Sequence, residues 1–294
     1  EAMGLRNALL DNFERALTCA GEQERQELLN VVIVGGGATG VEIAGALSEM
    51  KKYVLPKDYP DMPSSLMHIY LIEAGERLLP AMSPDSSAHV EKYLRSMGVN
   101  VLLNKMVTDY QDHRVILKDG SSIATRTFIW VSGVAAQKVG NLDASHLGRG
   151  ARIKVNACNQ VEGLDGVFSI GDQCIMTEGD SNWLGGHPQL AQVAIQQGVL
   201  LAKNLQRLEK GKEMKPFRYR NLGTMATVGR NKAVAEFKKV HMAGFMAWFM
   251  WLVVHLRSIL GVRNKIVVLL NWMWNYFSYG QSLRMIVYAK KAKE

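Results

Sequence analysis

Residues 31–45 read VVIVGGGATGVEIAG. Four apolar residues, Val31 to Val34, run straight into three glycines, and a helix-forming stretch follows. A short apolar run bounded by glycine fits a strand buried on both faces. In the spacing Gly35-x-Gly37-x-x-Gly40, the first glycine permits a tight turn and the second lets a pyrophosphate approach the backbone. The third lets strand and helix pack closely, and the helix N-terminus then faces the phosphates. Glycines after a strand are also common in plain turns, so the neighbourhood decides. A second strand pattern, HIYLIE at 68–73, ends in an acid, Glu73. Strand, loop, helix and strand together form a βαβ unit with a parallel sheet and a right-handed crossover. Glu73 lies further on than the usual interval of about 20 residues, and the intervening LPKDYPDMP explains the excess as a loop.

An acid at the end of that strand accepts hydrogen bonds from the adenine ribose and repels a 2′-phosphate, which favours NADH over NADPH. Arg77, four residues on, is the cation a 2′-phosphate would use, and it argues the other way. Glu42 falls in the first turn of the glycine-loop helix. Its spacing favours a carboxylate complementing the helix dipole over a polar group beside the nicotinamide.

Outward from this unit, residues 4–18 place Leu5, Leu9, Phe13 and Leu17 on one helical stripe. Downstream, a helix is expected from about residue 86 to 97, then a strand at 99–103. Short strands should bracket Asp119-Gly120, a strong hairpin signal, and an apolar strand should cover 127–136. A second region shows DGVFSIGDQC at 165–174, read as a strand with a tight Gly-Asp ending, and a helix from residue 187 with proline near its start. The expected domains are a lead-in helix at 1–29, a nucleotide-binding domain at 30–137, a second domain at 138–240 and a tail at 241–294.

The composition, 48% hydrophobic and 21% charged over 294 residues, is that of a globular chain and excludes disorder. The net charge of +8 is concentrated in the tail. Residues 241–294 hold Arg257, Arg263, Lys265, Arg284, Lys290, Lys291 and Lys293 against one acid, Glu294. Cys19, Cys158 and Cys174 are odd in number and far apart, so neither a disulfide framework nor a metal site is expected. No basic-then-apolar leader precedes the first helix, so no signal peptide is expected.

Met242 to Val254 lack polar side chains over 13 residues, short of the roughly 18 that suggest a spanning helix. A second apolar stretch, residues 266–277, carries Trp272 and Trp274 between Arg263, Lys265 and Arg284. Tryptophan beside Lys and Arg is the combination favoured at a bilayer interface, so helices lying in one leaflet are expected. Burial in a helical hairpin or at a homodimer interface is the alternative cover for those faces. Nucleic acid is not an expected partner.

The motifs VGGGATGVEIAG, IYLIEAGERLLP, IWVSGV, GVFSIGD, AQVAIQQG and GTMATVGRNKAV, with the Trp-rich tail, occur in one order along the chain. In that order the sequence resembles the type II NADH:quinone oxidoreductases, single-subunit flavoenzymes with two dinucleotide-binding domains. The resemblance implies an α/β fold: a Rossmann-like NADH-binding domain, the C-terminal part of a second Rossmann-like domain for FAD, and amphipathic C-terminal membrane helices. It assigns Gly35, Gly37, Gly40 and Glu73 to NADH and moves Glu42 to a catalytic place near nicotinamide and flavin. Ser132, Gly133 and Val134 match the stretch lining the nicotinamide, with Ser132 where the family more often has alanine. Gly171 and Asp172, by themselves a strand-ending turn, match the motif that bonds the ribityl chain of FAD. Gln192 and Gln196, by themselves a solvated helix face, match the family's quinone pocket; residues four apart can point into one cavity.

The implied activity is hydride transfer from NADH to FAD and electron transfer to a membrane quinone, without proton pumping. The implied location is peripheral, on the cytoplasmic face of a bacterial inner membrane or the matrix-type face of an organelle. The family's first glycine loop, for FAD, has no counterpart in residues 1–30, so this chain alone is expected to bind FAD poorly and to act as a nucleotide-binding and membrane-docking fragment. Sulfide:quinone oxidoreductase is the rival reading, and it needs a working cysteine pair at the flavin.

Overall fold

The computed structural model describes residues 2–176, 183, 185–238 and 240–278. The chain forms two compact units, one comprising Glu1–Ser132 with Gly223–Glu294 and the other Gly133–Leu222. In the first unit, α1 (Ala2–Thr18) and α2 (Glu22–Leu29) lead into β1 (Asn30–Val34), α3 (Ala38–Tyr53), the short α4 (Leu55–Asp58) and β2 (His68–Ile72). There follow α5 (Pro84–Ser96), β3 (Val99–Leu102), β4 (Val107–Gln111), β5 (Arg114–Leu117), β6 (Ser122–Ala124) and β7 (Thr127–Trp130). The second unit holds β8 (Ile153–Val155), β9 (Cys174–Met176) and α6 (Ala191–Glu209). The chain then returns to the first unit as β10 (Thr224–Gly229), β11 (Lys232–Phe237), β12 (Val240–Ala243), α7 (Phe245–Ser258) and α8 (Val262–Ser278).

The parallel sheet runs β3-β2-β1-β7, with Val31 opposite both Ile69 and Thr127. Strand order reverses beside β1, which makes the carboxyl end of β1 a topological switch point, the place where open α/β sheets bind ligands. All five β1 residues are buried, and their alternation sorts them to two cores. Val31 and Ile33 pack with Phe13, Val41, Ala44 and Leu71 on the helical side. Val32 and Val34 pack with Val107, Val115 and Leu117 on the side of the β4-β5-β6 meander. Burial of each such aliphatic side chain contributes about 1.5–3 kcal/mol. The α1 stripe behaves as its period implies, with Leu9 and Phe13 buried and Leu5 and Leu17 partly so.

Helix α5 begins at Pro84 behind the N-cap Ser83, whose hydroxyl accepts from the Ser86 amide at 3.3 Å. The Asp119-Gly120 hairpin forms as expected between β5 and β6, with Gly120 at φ +84°. The preceding turn carries no glycine: Asp112 and His113 both adopt positive φ, 47° and 58°.

Four expectations differ from the structure. The apolar strand expected over 127–136 ends at Trp130. Residues 165–174 do not form a continuous strand: a bridge at Phe168 is followed by a 3₁₀ turn at Gly171–Gln173, and the strand begins at Cys174. The helix expected from 187 starts at Ala191, behind an extended N-cap at Leu190 whose amide turns back to the Pro188 carbonyl at 3.0 Å. Residues 223–240, assigned by sequence to the second domain, form most of the antiparallel sheet β10-β11-β12 and fall in the first unit. The physical cause is Gly45: a Cβ there would lie 1.6 Å from the Val228 carbonyl oxygen, so bare backbone on α3 admits β10.

Candidate functional site

The glycine loop hangs between β1 and α3. Gly35 sits at φ +116°, where a Cβ would come within 2.8 Å of the Val131 and Ser132 backbone. At Gly40 a Cβ would lie 1.9 Å from the Gly35 carbonyl oxygen. These two glycines are required by the protein's own packing. Gly37 is different: a Cβ there would meet nothing within 4 Å. It is also the N-cap of α3 and makes no side-chain cap, so no cap side chain occupies the first amides of this 16-residue helix. That is the arrangement an anionic pyrophosphate needs, and it fits a dinucleotide.

Glu73, one residue past β2, holds this loop directly. Its Oε2 accepts from the Gly36 amide at 2.6 Å and its Oε1 from the Gly75 amide at 2.7 Å. A carboxylate offers about four acceptor positions, so a ribose hydroxyl can still be accommodated. The Leu79 amide donates to the Gly36 carbonyl at 2.8 Å, fastening the far side of the loop. Arg77 donates to the carbonyls of Met82 at 2.8 Å and Pro80 at 3.0 Å. Its guanidinium is thus committed to its own loop, which weakens the case for a 2′-phosphate.

Glu42 is not in the first turn of α3, which contains no acid. The helix starts at Ala38, one turn earlier, so the dipole reading loses its geometry. The half-buried Glu42 carboxylate instead receives the Thr227 amide and hydroxyl of β10, each at 3.4 Å. It lies on the wall of a mainly apolar cavity of about 620 Å³ between α3, β10, α7 and α8. Trp248, Trp251, Trp272 and Phe249 line the rest, with Glu49 near the turn between β10 and β11. Neither the role of Thr227 nor this cavity shows in local sequence patterns, because Glu42 and Thr227 are 185 residues apart.

Ser132, Gly133 and Val134 lie just past β7 and are exposed, at the point where the chain passes from the first unit to the second. Within the second unit, Gly171 has φ +67°, and its amide donates to Gln197 Oε1 at 2.7 Å. Asp172 beside it is exposed. A tight turn presenting an acid to solvent fits the hydroxyl groups of a flavin's ribityl chain. Gln197 was missed from sequence. Its burial shows only in the helical phase that separates it from Gln192 and Gln196.

Gln192 and Gln196 do share one face of α6, and both clamp the strand-like segment 220–222. Gln196 donates to the Arg220 carbonyl at 2.9 Å and accepts from its amide at 3.1 Å, while Gln192 accepts from the Leu222 amide at 3.1 Å. The cysteines form no pair: all three are free. Burial pushes the Cys174 thiol above its usual range, and burial does the same at Cys158. A sulfide-handling pair needs the opposite, thiols easily ionised.

Among the described residues no helix is long and apolar enough to cross a membrane. Helices α7 and α8 nevertheless expose Met246, Phe249, Leu270, Trp274 and Phe277, and the turn between them exposes Leu260. Ala247 seats α7 on Ala233 and Ala235 of β11, whereas α8 has no fully buried residue. Arg284 and the terminal lysines lie outside the described residues.

The family "Pyridine nucleotide-disulphide oxidoreductase" matches residues 4–198, and the "NDH2 C-terminal domain" matches residues 221–279. A type II NADH:quinone oxidoreductase of Mycobacterium tuberculosis is 34% identical over 285 residues, covering 92% of this chain and 59% of that protein. An internal alternative NAD(P)H-ubiquinone oxidoreductase of Solanum tuberosum mitochondria is also 34% identical, covering 91% and 56%. The chain therefore spans about three-fifths of the length of the curated relatives it matches. In fold it is similar to NDH2 of Plasmodium falciparum, solved in complex with NADH, with a TM-score of 0.84 at 17% identity over 96% of this chain and 72% of that one. The glycine loop within the first match and the β10–α8 segment within the second place the chain in the pyridine nucleotide-disulphide oxidoreductase family, on its type II NADH dehydrogenase branch.

Proposed function

We propose that this chain carries the NADH site and the acceptor-side helices of a peripheral, non-proton-pumping NADH:quinone oxidoreductase. The observation that carries the reading is the open space at Gly37, above the uncapped N-terminus of α3 and beside Glu73. Gly35, Gly37 and Gly40 shape the pyrophosphate cradle, and Glu73 fixes the loop while keeping capacity for the adenine ribose. Ser132, Gly133 and Val134 would line the nicotinamide. Gly171 and Asp172 would hold the ribityl chain of FAD. Bound FAD supplies the two-electron to one-electron chemistry that amino acids lack.

Glu42 is the catalytic candidate. Thr227 steadies its carboxylate on the cavity wall, where it can accept or return a proton as an acceptor is reduced. Gln192 and Gln196 are proposed at the quinone, positioned by their bonds to residues 220–222. Residues 241–294 dock the protein on a membrane surface on the face from which NADH is supplied, which supports a cytoplasmic or matrix-type location. Support comes from the exposed apolar side chains of α7 and α8 and from the cations Arg257, Arg263 and Lys265. In the complete gene product, NADH should be oxidised at the expense of a lipid-soluble quinone in sealed vesicles without forming a pH gradient. A gradient that forms with turnover, or NADH oxidation that ignores added quinone, would contradict the reading.

A further inference from the structure

Helix α8 has no fully buried residue of its own, yet it forms one side of the cavity that contains Glu42. Its position is set by aromatic contacts with α7, Trp248 to Tyr276 at 5.6 Å and Trp251 to Trp272 at 6.1 Å, and by one side chain from the β10–β11 turn. That side chain is Arg230. Its Nη1 donates to the Tyr276 carbonyl and its Nη2 to the Asn275 carbonyl, both at 2.7 Å. Its guanidinium carbon lies 4.8 Å from the centre of the Tyr276 ring. A backbone carbonyl offers two lone pairs, so a planar two-pronged cation is well matched to two neighbouring carbonyls of one helix.

The other end of the tie is equally specific. The Arg230 amide donates to Glu49 Oε1 of α3, seven residues along the helix from Glu42. Gly229 permits that approach, since a Cβ there would lie 2.7 Å from the same carboxylate oxygen. Asn231 at φ +61° completes the two-residue turn between Gly229 and Lys232.

We infer that Arg230 is a positioning residue that clamps Asn275 and Tyr276 of α8 to Glu49 of α3 and so fixes the shape of the Glu42 cavity for an acceptor bearing a long apolar chain. The inference rests on the proposed quinone reaction for its acceptor, but not for the clamp itself. Lysine is a weaker substitute here, because its ammonium lacks the planar fork that meets two neighbouring carbonyls while lying against a ring.

The test uses the complete gene product with R230A and R230K, measuring acrylamide quenching of tryptophan fluorescence and kinetics with two acceptors. R230A should expose Trp248, Trp251 and Trp272, raise the KM for a long-chain quinone roughly tenfold, and leave NADH turnover with ferricyanide within about twofold. R230K should fold with unchanged circular dichroism and recover less than half of each effect. Unchanged quenching in R230A overturns the clamp. Increased quenching with an unchanged quinone KM, or an equal loss with ferricyanide, overturns the positioning role. Increased quenching in a protein whose wild type reduces no quinone supports the clamp and refutes the quinone reading instead.

Discussion

Gly37 and Gly45 both lie in one short stretch of sequence, but their environments separate a ligand-facing glycine from a packing one. A side chain at Gly37 meets no protein atom, whereas one at Gly45 meets the Val228 backbone at 1.6 Å. Gly37→Val should therefore leave the melting temperature nearly unchanged and abolish NADH binding, measured by thermal unfolding and calorimetric titration. Gly45→Ala should destabilise by roughly 2–4 kcal/mol, because rigid backbone cannot yield to an added methyl. At Glu42, replacement by glutamine keeps the shape and removes the charge. Quinone-linked turnover should fall roughly tenfold to a hundredfold while NADH affinity stays within about twofold; equal activity of the variant would remove Glu42 from the chemistry. Gly37 and Glu73 were marked out in the sequence, since a glycine loop shows in local spacing. Thr227, Arg230 and Gln197 were not, because each acts through a pairing that only the fold creates.

Among the elements, the C-terminal sheet is tied to the Rossmann-like core by Glu236 of β11. Its Oε1 accepts the Ser83 amide at 2.9 Å and the Ser83 hydroxyl at 2.6 Å, at the very N-cap of α5. Burial alone would raise this carboxyl, but the bonds from Ser83 and Ser86 and the nearby His241 outweigh it and hold it below its ordinary 4.5. The stabilisation is therefore full above the ordinary carboxylate range and is lost as the pH falls through the lowered folded value. Glu236→Gln should lower stability by about 1–3 kcal/mol at neutral pH and flatten the acid limb of the unfolding curve. A variant with an unaltered acid limb would show that the tie contributes nothing. This sheet went unassigned from sequence because its pattern is short and irregular, with a register shift between Thr227 and Gly229. The central strands and α3 were readable because β1 is apolar throughout and its glycines mark where it ends. The tail helices were readable for a related reason: their apolar runs stop well short of a membrane span. Deleting residues 241–294 should abolish binding to anionic vesicles in a flotation assay, and 0.5 M salt should weaken binding of the intact chain only in part. Undiminished flotation of the truncated protein would contradict the membrane assignment.

At the scale of the molecule, the chain divides between a unit that carries the glycine loop, proposed for NADH, and a unit that carries the Gly171-Asp172 turn, proposed for FAD. The boundary expected at 137/138 compares with a division at Ser132/Gly133, two residues past the end of β7 at Trp130. The return of residues 223–240 to the first unit was not legible in the sequence, because nothing local announces that Gly45 leaves room for a strand. Everything proposed about turnover depends on the first unit selecting NADH at its loop. The most direct measurement is calorimetric titration of this chain with NADH and with NADPH, repeated on Gly37→Val. One site for NADH is expected, with NADPH binding weaker by at least roughly tenfold because of Glu73, and no NADH binding to the Gly37→Val variant at an unchanged melting temperature. Equal affinity for the two nucleotides, or NADH binding that survives Gly37→Val, would contradict this expectation.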